Sequence, residues 1–100
     1  MSNTCEGDEI RSELDRCREQ IAQLDRDVIA LLRKRVELAL RTGILKRTMG
    51  LPTLDPGREA RVIRSAVETA RAEGLAEEPV REIFWRILGM SRDAQSGEKS

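Results

Sequence analysis

Ile10, Leu14, Cys17, Ile21, Leu24, Val28, Leu31, Leu38 and Leu45 recur in alternating steps of four and three, with Arg35 and Thr42 filling the two remaining places. That rhythm keeps one stripe on a continuous α-helix that packs against other helices. No proline or glycine interrupts the run before Gly43. A helix from Asp8 to about Met49 is predicted, roughly 60 Å long. A compact globule of this length has a radius of gyration of only about 13 Å. The excess helix is therefore expected to bury itself against a partner chain.

Beyond it, Met49-Gly50-Leu51-Pro52-Thr53-Leu54 reads as a loop. Gly50 can end the helix in a left-handed conformation, and Pro52 prevents its resumption. A second helix, about four turns long, starts with Asp55 as N-cap and Pro56 at the first helical position. Its apolar set is Val62, Ile63, Ala66, Val67 and Ala70, and Gly74-Leu75 supplies the stop. A third helix is predicted to begin between Glu77 and Pro79, where the acids suit the positive end of the dipole although Ala76 is a poor cap. Its stripe runs Val80, Ile83, Phe84, Ile87, Leu88 and then Ser91, Ala94, Gln95. The polar ends, residues 1–8 and 96–100, read as disordered tails around one domain spanning 9–95.

Composition narrows the class. With 100 residues and one Phe and one Trp, the chain suits aliphatic helix packing rather than a sandwich or barrel. Eighteen basic residues balance eighteen acidic ones, so no bulk field draws it to nucleic acid or anionic lipid. Basic residues on the long helix are interleaved with acids and lack aromatics for base stacking, a second argument against nucleic acid. Two cysteines without a CxxC pattern, and no histidine, exclude a disulfide framework and make a metal site unexpected. Cys17, on the stripe, reads as a small core residue. No signal peptide or membrane span is evident, so a cytoplasmic location is expected.

Arg35 changes this picture. It holds a seam position, where an unpaired guanidinium would cost several kcal/mol or more, so it needs an anion beside it. Lys46, eleven residues on, lies within about 20° of it around the helix. Arg18 flanks the same stripe but sits seventeen residues away, roughly 25 Å along the axis. Only the same residue of an antiparallel partner could join the crevice. Ser91 and Gln95 place a hydroxyl and an amide where the pattern predicts apolar residues.

Each feature has a plainer explanation. Arg35 alone could be a register device, Arg18 a solvated residue, Asp55 only a cap, and Arg58 and Glu59 ordinary first-turn residues. Arg35, Lys46, Ser91 and Gln95 together favour a pocket. It would offer cations, an amide, a hydroxyl and a carboxylate, with no histidine, nucleophile elbow or phosphate loop. Such a set suits a small dianion whose reaction needs shape and charge rather than proton transfer, an intramolecular rearrangement above all.

The ordered set Arg18-x-x-Ile21-x-x-Leu24-Asp25, Leu31-Leu32-x-x-Arg35, Lys46, Asp55-x-x-Arg58-Glu59 and Ser91-x-x-x-Gln95 closely resembles the all-helical, AroQ-class chorismate mutases. The likeness runs from about Ile10 to Gln95, and its specificity lies in the whole set rather than in any one motif. It implies an all-α fold of three helices per chain, the first very long, in an intertwined homodimer with two identical sites. The implied activity is conversion of chorismate to prephenate on the tyrosine and phenylalanine route, without cofactor or metal.

By the same resemblance, Arg35 and the other chain's Arg18 would hold the two carboxylates. Lys46 and Gln95 would donate to the ether oxygen. Glu59, with backbone near Asp55, would bind the ring hydroxyl, and Arg58 and Ser91 would complete the carboxylate and ring contacts. Gln95 is neutral, so no acidic optimum is expected. Isochorismate pyruvate lyases and mutases acting on 4-amino-4-deoxychorismate share the scaffold and remain alternatives. A helical dimerisation module with decorative polar residues is a third.

Overall fold

A computed structural model describes residues 3–96, all of them in three α-helices and their connections. Helix α1 spans Asn3–Met49, α2 Pro56–Ala72 and α3 Glu77–Ser96. The all-α expectation holds among the described residues. Helix α1 begins earlier than Asp8: the polar residues expected in the tail as far as Asp8 are helical from Asn3, with Glu6 in the first turn favouring the dipole. Ser96 likewise closes α3 rather than opening a tail. The tail expectations at 1–2 and 97–100 lie outside the described residues.

The chain divides into two units, Met1–Arg33 and Lys34–Ser100, with α1 contributing to both. In the first unit α1 leaves Ile10, Leu14, Ile21, Leu24, Val28 and Leu31 exposed. Cys17, expected in a core, is exposed with them, because nothing within this unit covers that stripe.

The second unit carries the core. Ile63 and Val67 of α2 pack on Leu88 of α3, with Val62 and Phe84 beside them. The small residues Ala66 and Ala70 are also buried. Both helix stops that the glycines predict are present and of one kind. Gly50 (φ 72°) and Gly74 (φ 77°) take the left-handed conformation, where a side chain would be strained. Leu51 N–H then reaches Lys46 O at 2.8 Å, and Leu75 N–H reaches Ala70 O at 2.8 Å. Asp55 caps α2, its Oδ1 accepting from Arg58 N–H at 3.1 Å.

Arg71 bridges the short link between α2 and α3, donating to Glu77 Oε2 at 2.7 Å. That hydrogen bond first, and the guanidinium charge after it, hold the Glu77 carboxyl below its ordinary value. A depressed carboxyl contributes stability above its unfolded pKa and loses it as pH falls through the folded one. On an exposed pair the contribution is small and screened by salt.

Candidate active site

Arg35 and Lys46 lie within the second unit, on nearly the same face of α1 and both half-buried. Charged heads at that depth need partners. Arg35 Nη1 donates to Ser91 Oγ of α3. Ser91 is 7% exposed and donates its own hydroxyl hydrogen bond to Ile87 O at 3.2 Å, one turn back. Its hydroxyl therefore steadies one arm of the guanidinium. The planar fork has five N–H donors in all, which suits it to gripping a carboxylate with two parallel bonds.

Lys46 Nζ donates to Thr53 O at 3.0 Å and to Gln95 Oε1 at 3.4 Å. Lysine has only donors, so the amide oxygen must face it. The NH₂ group is then what Gln95 can offer a ligand. The loop at Thr53 and the end of α3 thus converge on one ammonium.

The end of α3 is held against α1 in two further ways. Arg47 Nη1 donates to Gln95 O at 2.6 Å, satisfying a carbonyl in the last turn, where cations are favoured. Gly43, buried on α1, leaves no room for a side chain: a Cβ there would lie 2.5 Å from Gln95 O and 2.8 Å from Gln95 Cα. Those are main-chain atoms and cannot swing aside. Gly43→Ala is therefore expected to destabilise the fold by a net of about 1–2 kcal/mol, overpacking outweighing the better helix propensity of alanine. Urea denaturation would read this as a lower midpoint, and an unchanged midpoint would contradict the close approach.

Glu59, in the first turn of α2, pairs with Arg92 of α3, Nε to Oε2 at 2.9 Å and Nη2 to Oε1 at 3.4 Å. Asp55 is engaged as the cap of α2. Arg58 gives its backbone N–H to that cap, and the residue borders a different hollow, of about 480 Å³, with Arg61, Val62, Thr69 and Phe84. Neither Arg35, Lys46, Glu59, Ser91 nor Gln95 lines that hollow. Arg18 lies in the first unit, exposed on α1 beside Leu14 and Asp15.

The structure therefore joins Arg35 to Ser91 and Lys46 to Gln95. It adds three residues that the sequence reading did not single out for the site. Arg47 and Gly43 hold Gln95, and Arg92 holds Glu59. A weak signal existed for Arg92, which follows Leu88 by four residues and so falls at the edge of the α3 stripe. Among the described residues, no group of three or more Cys, Asp or Glu is arranged to hold a metal ion. No described helix is long and apolar enough to cross a membrane.

Comparison with known proteins bears directly on this arrangement. The family described as chorismate mutase type II matches residues 17–96. The T-protein of Enterobacter agglomerans is 32% identical over 85 residues, covering 85% of this chain and 23% of the relative. The T-protein of Haemophilus influenzae is 31% identical over 71 residues, covering 71% of this chain and 19% of the relative. The chain thus spans about a quarter or less of the length of these curated relatives. No solved structure matches it significantly.

Proposed function

The chain belongs to the chorismate mutase type II family, and on that premise we propose that it converts chorismate to prephenate. The observation that carries this reading is the pairing of Arg35 with Ser91 and of Lys46 with Gln95 within one unit, on elements distant in sequence. The substrate has two carboxylates and an ether oxygen. In the [3,3] rearrangement the ether C–O bond breaks as a C–C bond forms, and no proton or electron leaves the molecule.

Catalysis of such a step needs confinement and charge. Arg35 grips a carboxylate and holds the enolpyruvyl arm over the ring, removing the entropy of reaching the reactive conformer. Lys46 and the Gln95 amide donate to the ether oxygen, where negative charge grows as the bond lengthens. Donors already in place stabilise that charge without reorganising, and one such donor is commonly worth about 10²–10³ in rate. Glu59 accepts from the ring hydroxyl and Ser91 steadies Arg35. Arg58, at the start of α2, is assigned the remaining ring and carboxylate contacts.

The working unit in this reading is an intertwined homodimer, with Arg18 of one chain completing the site of the other. Support comes from the exposed aliphatic stripe of α1 in the first unit. Covering each such side chain is worth about 1.5–3 kcal/mol, so six in a row form a strong association surface. The same reading makes the protein cytoplasmic and independent of cofactors. The test is direct: purified protein is given chorismate, loss of its absorbance is followed and the product is identified. Prephenate is the expected product; no turnover, or release of pyruvate, would overturn the assignment.

A further inference from the structure

Glu59 stands in the first turn of α2 with its charge already answered. Arg92 follows Ser91 directly on α3, and its guanidinium meets both carboxylate oxygens of Glu59, at 2.9 and 3.4 Å. The carboxylate side chain is 18% exposed and the guanidinium side chain 43%. The acid is therefore the inner partner and the cation the outer one. Asp55, the other acid at the start of α2, is engaged as the helix cap. That leaves Glu59 as the carboxylate available to a ring substituent.

A carboxylate bonded in this bidentate way keeps lone pairs that can accept from a neutral hydroxyl. What it no longer offers is net negative charge. An aliphatic amine at the same ring carbon, protonated at neutral pH, would find its attraction to Glu59 offset by repulsion from Arg92. We infer that Arg92 is a specificity-determining positioning residue. By pairing with Glu59 it selects a ring bearing a neutral hydroxyl over one bearing an ammonium group at the same position. The inference rests on the proposed contact between Glu59 and that substituent. It supplies a physical basis for choosing between chorismate and its 4-amino analogue, since selectivity is a difference of affinities and a mispaired charge is an effective way to make one.

The experiment compares kcat/KM for chorismate and for 4-amino-4-deoxychorismate in the wild-type protein, Arg92→Gln and Arg92→Lys, at neutral pH and fixed ionic strength. Glutamine keeps a hydrogen-bond donor and removes the charge; lysine keeps the charge and loses the fork. Arg92→Gln is expected to raise the amine-to-hydroxyl ratio about fivefold, the scale of a partly exposed ion pair. Arg92→Lys is expected to return the ratio towards the wild-type value. A purely structural role for Arg92 would lower both substrates alike and leave the ratio unmoved, overturning the assignment. A wild-type preference for the amine overturns it too. Wild-type protein inert towards both substrates overturns the functional reading beneath it, and the two failures are thereby told apart.

Discussion

Arg35→Ala is expected to lower chorismate turnover about a thousandfold while the chain stays folded. The residue combines two roles that are usually separate, gripping a carboxylate and fixing the reactive conformer, so the loss should reach the upper end of what a single electrostatic contact supplies. Stability should move the other way or hardly at all. A half-buried guanidinium pays desolvation that Ser91 only partly offsets, and removing it relieves that cost. Steady-state kinetics beside a urea titration separates the two effects. A dimerisation module would show no activity to lose, and a collapse of stability without a specific rate effect would mark Arg35 as structural.

Gln95→Glu is expected to be damaging at neutral pH, though less so than Arg35→Ala, and to recover in acid. The amide can donate to the ether oxygen at any pH, whereas an ionised carboxylate there would oppose the charge that grows on that oxygen. Only the protonated acid donates as the amide does. The rate at pH 7 is therefore expected to fall about a hundredfold. It should climb about tenfold per unit as pH drops towards the usual carboxylic acid range, since the active fraction follows protonation. The wild-type protein should stay flat from about pH 5 to 8, because none of the side-chain types proposed for the site normally titrates there. A wild-type rate rising steeply below pH 6 would contradict the role given to Gln95.

The parts of the fold that were legible in the sequence are those governed by local rules. Gly50, Gly74, Asp55 and Pro56 mark helix ends because each has a backbone preference that acts within a few residues, and all four stand where expected. The face shared by Arg35 and Lys46, and the polar continuation of the α3 stripe at Ser91 and Gln95, follow from helical period alone.

What was hidden depends on approach between elements distant in sequence. The predicted helix runs through Gly43, as α1 does, but nothing local accounts for a glycine there: the missing side chain admits the main chain of Gln95. Arg92 and Arg47 look like solvated charges until α2 and α3 are placed, when they prove to hold Glu59 and the last turn of α3. Asn3–Asp8 reads as a tail because most of its residues are polar and poor helix formers, but adding a turn to a helix already running costs far less than starting one. Arg18 flanks the stripe of α1, but within its own chain nothing marks it off from a solvated charge. Its proposed function exists only in the assembled pair.

That pairing is where the account is most exposed to test, through mixing Arg18→Ala chains with Arg35→Ala chains after dissociation and reassociation. Each variant alone lacks an essential cation in both sites. In a mixed dimer one site collects both defects and the other neither. Random reassortment makes half the dimers mixed, so roughly a quarter of the wild-type sites should return. Recovery on that scale is the predicted result; a mixture no more active than its separate components would contradict a site built by two chains.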